Sequence, residues 1–106
     1  VSGEQSKSGV DPHEAPKLLA ACLALPHVRV RGLMTMAPQG DLQAARAVFD
    51  DLARLHSQLR AGLEPQAAAV FDGLSMGMSE DWREAVAAGA TIVRIGRAVF
   101  SDAFEA

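Results

Sequence analysis

"AVFDGLSMGMSEDWREAVAAGATIVRIG", residues 69–96, decides how the chain is read. An apolar run closes on Gly73-Leu74-Ser75-Met76, a polar turn follows, and a helical stretch stops at Gly89 before a second apolar run, Thr91–Gly96. Short apolar runs bounded by turn residues read as strands. Between them, Ser79 is a candidate helix cap, and Glu80, Asp81 and Glu84 suit the positive end of a helix. Gly89 is a left-handed terminator. A strand, a helix and a strand in that order require a crossover, which makes the two strands parallel.

The same alternation extends upstream. Residues 1–10 read as a polar loop; Asp11 caps a helix of about residues 12–24, with Pro12 in its first turn and Glu14 at a capping-box position. Ala15, Leu18, Leu19, Cys22 and Leu23 recur at helical spacing there, and Pro26 ends the run. "HVRVRGLM" (27–34) reads as a strand and "MAPQG" (36–40) as a loop. Asp41 caps the next helix, whose stripe of Ala45, Val48, Phe49, Leu52, Leu55 and Leu59 is the clearest periodic signal in the chain. Gly62 and Pro65 close that helix, and a second strand is centred near residues 70–75. "RAVFSDAFEA" (97–106) begins another helical turn. The order α-β-α-β-α-β-α predicts a parallel sheet with helices packed on it.

Composition narrows the function classes. Of 106 residues 49% are hydrophobic, which argues against disorder, and the net charge is −3. Lys and Arg are scattered, so the footprint of a nucleic-acid binder is absent. One cysteine, Cys22, excludes an internal disulfide and fits a reducing compartment. No apolar run approaches the ~20 residues of a spanning helix, and residues 1–20 lack a signal-peptide layout. The expectation is a cytoplasmic protein without membrane or nucleic-acid partners. Val1 opens on loop-like "VSGEQSKSGV", which reads as a start partway through a larger fold.

In parallel α/β folds, ligands collect at the carboxyl ends of strands. Ser75 and Met76 stand at one such end, Gly96 and Arg97 at the next. Free N–H groups at the helix start after Gly96 favour phosphate, and glycine lets the backbone approach closely. Ser75 can add a hydroxyl donor. Arg94, two residues before Gly96, shares its face by strand alternation and places a guanidinium one step deeper. The alternative makes Gly96 a plain turn, Ser75 a buried hydroxyl and Arg94 a surface ion-pair partner.

"SGEQSKSGV", "VRVRGLMTMAP" and "LSMGMSEDWREAVAAGATIVRIGRAVF" together resemble successive signatures of the pyridoxal phosphate homeostasis proteins, which are similar to the barrel domain of alanine racemase. The resemblance runs from residue 1 to about 100. It implies the C-terminal half of a (β/α)8 TIM-type barrel holding pyridoxal 5′-phosphate (PLP), acting as a cofactor carrier without turnover. It also implies that Ser75, Gly96 and Arg97 hold the phosphate, that Met76 lines the site, that Met34 borders its mouth, and that Arg94 faces the pyridine nitrogen. An arginine there keeps that nitrogen unprotonated and weakens the electron sink of the cofactor.

Two departures stand out. The family usually carries a small hydroxyl residue where this chain has Arg97. Its Schiff-base lysine belongs to the N-terminal half, and the lysines here are Lys7, in a loop that also holds Glu4, and Lys17, on an outer helix. A complete barrel needs about 250 residues and eight strands; three are legible here. A half barrel leaves strand edges and an apolar face uncovered, so self-association or pairing with a separate N-terminal half is expected. Two alternatives remain: a non-binding half-barrel interaction module, and the remnant of a racemase-like enzyme. The latter needs a lysine base and usually a tyrosine, and the chain has no Tyr.

His13, His27 and His56 lack metal-ligand spacing and read as surface or helix-end residues. Cys22 reads as core, and the acids after Ser79 as helix-start charges rather than a catalytic pair.

Overall fold

A computed structural model describes residues 9–96. Asp11 accepts the His13 N–H at 2.8 Å and opens a 3-10 turn, Pro12–Glu14, that runs into α1, Ala15–Leu23. Strand β1 is Gly32–Met34, and α2 is Leu42–Ala61. Helix α3 is Pro65–Val70, strand β2 is Gly73–Ser75, and α4 is Trp82–Ala88. A third extended segment joins the sheet at Ile92, which bridges Ser75 in parallel.

Strands β1 and β2 are parallel, with Gly32, Leu33 and Met34 opposite Gly73, Leu74 and Ser75. Because side chains alternate across a strand, Leu33 and Leu74 turn toward the helices while Met34 and Ser75 turn to the other face. Leu74, Met76, Ala37, Ala45, Phe49, Leu52 and Ala85 form one core between the sheet, α2 and α4. A second core, Ala15, Leu19, Leu59 and Phe71, joins α1 to the end of α2, and Leu33 packs against both. Helix α2 is the common wall. Its buried residues Ala45, Phe49, Leu52, His56 and Leu59 recur every three or four positions, the single apolar stripe of an amphipathic helix. Asp41 caps it by accepting from Gln43 and Ala44 N–H at 3.0 and 3.1 Å.

Within residues 9–96 the expected elements are present, with four changes. The strands are shorter than the apolar runs: three residues replace 27–34 and 70–75, and a single bridge replaces 91–96. Val28 is half exposed, and the run before Gly32 touches the sheet through the Arg31 carbonyl, which accepts the Gly73 N–H at 2.8 Å. Pro65 does not merely close α2; it opens α3. Proline costs nothing at the first helical position and pushes the preceding residue out of the helical region, as Glu64 shows with ψ at 151°. Ala67–Ala69 then favour helix over strand.

Helix α4 begins at Trp82 with Asp81 at its cap position, so Ser79 lies in the turn before it. Asp81 reaches back to the Met78 N–H at 2.8 Å, the backward half of a capping box. Gly89 ends the helix as expected, at φ 113°, with Ala90 N–H on Ala85 C=O and Gly89 N–H on Val86 C=O. This is the Schellman pattern.

The fourth change concerns His56, which is neither at the surface nor at a helix end. It is buried in α2, stacks on Phe71 at 4.8 Å, and its Nε2–H donates to the Phe71 carbonyl at 2.8 Å. That carbonyl closes α3 and leads into β2. Among the described residues no group of His, Cys, Asp and Glu has a metal-binding arrangement. No helix there is long and apolar enough to cross a membrane. The expected helical turn over 97–106 lies outside the described residues, as do Glu4, Lys7 and Arg97.

The two strands touch most closely at Gly32 and Gly73. A Cβ on Gly32 would collide with the Gly73 carbonyl, and one on Gly73 would meet the Arg31 carbonyl at 2.9 Å. Both obstacles are backbone and cannot swing away. Gly32→Ala should therefore lower stability by about 2–3 kcal/mol, the scale of core overpacking. A drop in the urea midpoint at unchanged slope would show it; an unchanged midpoint would refute the close approach.

Candidate functional site

The carboxyl ends of the three extended segments meet on one side of the molecule, held by main-chain bonds. Thr35 N–H, just past β1, donates to the Ser75 carbonyl at 3.1 Å. Met76 N–H donates to the Ile92 carbonyl at 3.0 Å, and Arg94 N–H to the Gly77 carbonyl at 2.9 Å. The third segment is also clamped at its start. Thr91 takes the Leu74 N–H on its hydroxyl at 2.8 Å, and its own N–H donates to the Leu74 carbonyl at 3.0 Å.

Arg94 crosses this platform. It is half-buried, and its Nη2 donates to the Thr35 carbonyl at 2.8 Å, so the guanidinium spans from the third segment to the end of β1. The ion pairs among the described residues are made by Arg46 and Arg54, so Arg94 has no carboxylate partner there. Its Nε is buried with no hydrogen-bond partner among the described residues. An unsatisfied donor of this kind costs about 1–3 kcal/mol, more when charged, and a ligand acceptor drawn to it would relieve that cost. Among the described residues, Arg94 is thus a half-buried cation on a backbone carbonyl rather than a surface ion-pair partner.

Ser75 sits at the end of β2, partly buried, and its hydroxyl makes no hydrogen bond among the described residues. Gly96 is exposed, and a Cβ there would meet nothing within 4 Å, so its backbone stands in the open. Met34 is 56% exposed on the same face of the sheet as Ser75. Met76 is fully buried in the core with Ala37, Phe49 and Ala85. Its side chain underlies the strand end rather than lining an opening.

Two sets of supporting residues escape inspection of the sequence. The first is Thr35 and Thr91, whose bonds depend on strand register. The second is Gly77 with Asp81. Gly77 has φ 103°, and a Cβ would lie 2.7 Å from the Ala85 Cβ and 3.2 Å from the Trp82 Cα. Asp81 is 4% exposed and fixes the same turn through Met78. The sequence signal for the first of this pair is the glycine at the strand end, the residue that adopts positive φ without cost. At the far side of α4, Arg46 joins α2 to Glu84 at 3.5 Å and pairs with Asp50 at 3.1 Å. Asp50, through its hydrogen bond and charge, and then Glu84 raise an Arg46 pKa that already keeps the group protonated.

Among the described residues, two clefts lie elsewhere. One of about 820 Å³ runs between α1 and the end of α2 along Leu19, Leu23, Leu55, Leu59 and Leu63. A smaller one of about 200 Å³ has Asp41, Glu80 and Asp81 in its wall, and that charge disfavours phosphate. Neither includes Ser75, Arg94 or Gly96 in its lining.

Parallel strands joined through helices, with Arg94 and open backbone at their carboxyl ends, are the arrangement of an arc of an α/β barrel. The chain belongs to the family of the alanine racemase N-terminal domain, whose profile its residues 2–103 match. It is 46% identical over 101 residues to the pyridoxal phosphate homeostasis protein of Pseudomonas aeruginosa, covering 94% of this chain and 40% of that one. To the protein of the same name from Vibrio cholerae it is 46% identical over 104 residues, covering 96% and 42%. Among solved structures, an unknown protein from Bifidobacterium adolescentis superposes with a TM-score of 0.84 at 39% identity, covering 93% of this chain and 39% of that one. PipY of Synechococcus elongatus with PLP bound gives 0.76 at 36% identity, covering 90% and 44%. The chain thus spans about two fifths of the curated relatives it matches. The fold is a partial TIM-type barrel.

The turn at Gly77 holds the strand ends together. Gly77→Ala combines backbone strain of about 1–2 kcal/mol with the contact to Ala85, so thermal unfolding should shift down by more than 5 °C, at about 4–8 °C per kcal/mol for a domain of this size. A variant melting with the parent would remove this turn from the platform.

Proposed function

We propose that the chain is a PLP-binding part of a PLP homeostasis protein, acting by holding the cofactor rather than by turnover. The observation that carries this reading is a half-buried Arg94, with an Nε unpartnered among the described residues, at the same strand ends as Ser75 and the open backbone of Gly96. The group also fits chemically. A phosphate suits a hydroxyl and backbone donors, and a ring nitrogen that stays unprotonated suits an arginine donor. When bound, PLP supplies an electron-withdrawing ring, and Arg94 opposes the protonation that would strengthen it. In this reading Ser75 and Gly96 hold the phosphate end, joined by Arg97, which lies outside the described residues. Met34 flanks the mouth, and Met76 supports β2 from beneath.

The reading without turnover rests on what the platform presents. Lys17 is exposed on α1, which packs against the end of α2 rather than at the strand ends, and the sequence holds no Tyr to serve as a second proton carrier. Titrating the folded chain with PLP should give saturable binding. Arg94→Ala should weaken it about ten- to a hundredfold, the value of a hydrogen bond to a charged group, and Ser75→Ala about three- to tenfold. A folded chain with no affinity for PLP or phosphate would overturn the proposal.

Val28, in the segment before β1, and Met34 and Ile92, in one row across the sheet, are each more than half exposed. Large apolar residues along open strands favour a covering partner. We therefore include in the proposal that this face is closed by a second copy or by a separate N-terminal half. Light scattering on the chain alone should return more than its 11.2 kDa; a stable monomer would leave only the separate half.

A further inference from the structure

We infer that Thr35 is a positioning residue of this site, whose main chain couples the hydroxyl end to the guanidinium end. The inference rests on the PLP reading above and adds a residue to it. Thr35 is 5% exposed at the point where β1 leaves the sheet. Its N–H is committed to the Ser75 carbonyl at 3.1 Å, and its carbonyl to Arg94 Nη2 at 2.8 Å. Ser75 in turn bridges Ile92, and the Arg94 N–H is fixed on Gly77 at 2.9 Å. The chain of bonds therefore closes on itself, from Ser75 through Thr35 to Arg94 and back through the third segment.

Without the Thr35 carbonyl the guanidinium would keep its backbone anchor and lose its orientation. A long arginine side chain has several rotamers, and ordering it costs up to about 2 kcal/mol. A backbone carbonyl also leaves the positive charge uncompensated, whereas a carboxylate at this place would neutralise it. The charge thus stays available to a ligand. Holding one Nη also fixes the plane of the fork, and with it the direction in which the unpartnered Nε–H points. Thr35 accordingly acts on the ring end of a ligand through Arg94, while Ser75 and Gly96 serve the phosphate end directly.

The test weakens one acceptor and changes no side chain; it also removes the Met36 N–H, which donates no backbone bond among the described residues. In the full chain, Met36 is replaced by its α-hydroxy acid, which turns the Thr35 carbonyl into an ester carbonyl, a weaker acceptor. Two probes are titrated: pyridoxine 5′-phosphate, which has the ring and cannot react with lysine, and inorganic phosphate, which has no ring. The ester should weaken pyridoxine 5′-phosphate about tenfold, as expected for impairing one charge-assisted bond, and leave inorganic phosphate within twofold. A control ester at Gly40, which weakens the exposed Gln39 carbonyl, should change neither.

Equal loss for both probes, or no loss for either, overturns the assignment. If the unmodified chain binds neither probe, the site reading itself falls and this inference with it. A measurement on unmodified protein guards against a misfolded ester. NMR should show a scalar coupling across the hydrogen bond from Arg94 Nη2 to the Thr35 carbonyl carbon. Its absence, with the coupling from Arg94 N–H to Gly77 present in the same spectrum, would also overturn the proposal.

Discussion

Parallel pairing sets Met34, Ser75 and Ile92 in one row across the molecule, and the candidate site depends on that row. Each strand reaches it from the same direction because a helix carries the chain back every time. A shift of one residue in β2 would turn Leu74 to the open face and Ser75 into the core. Register is guarded twice, by Leu74 in the packed interior and by the glycine pair Gly32 and Gly73, whose backbones leave no room for a side chain.

The two cores divide the work. Phe49, Leu74, Met76 and Ala85 lie directly beneath the strand ends, so burial there holds the platform level. At about 25 cal/mol per Å² of apolar surface, the Phe49, Leu74 and Met76 side chains each contribute about 1.5–3 kcal/mol. The second core sits lower, under α1, and is finished by a polar contact: His56 satisfies the Phe71 carbonyl where α3 hands the chain to β2. Stability therefore comes from the helix side of the sheet. The opposite face carries Met34, Ser75 and Arg94, and Arg94 keeps an unsatisfied donor. Such local cost at a strand end is typical of a site organised for a ligand rather than for folding.

Much of this was legible in residue order. The stripe of α2, the Asp41 cap and the Gly89 terminator each follow from local chemistry, and each is found where the pattern placed it. Prediction erred where two local rules competed. Pro65 can end a helix or begin one, and the alanines after it decide for a beginning. Ser79 is a good cap, but Asp81 already bonds back to Met78 and moves the helix start to Trp82. His56 looked like a surface residue because nothing in the sequence shows which carbonyl will lie beside a helix interior. The family resemblance implies Met76 as a lining residue, whereas alternation turns Ser75 outward and the Met76 side chain into the core.

By itself, the sequence determined the alternation of helix and strand, the parallel sense of the sheet, and the candidacy of Ser75, Arg94 and Gly96. These follow from spacing, capping and the preference of glycine for open backbone, which are properties of neighbours along the chain. Only the tertiary structure decided that Arg94 lies across the end of β1 with its Nη2 on Thr35 and its Nε unpartnered. The residues involved are 59 positions apart. Their meeting depends on the packing of α2 and α4 against the sheet, which no local pattern encodes.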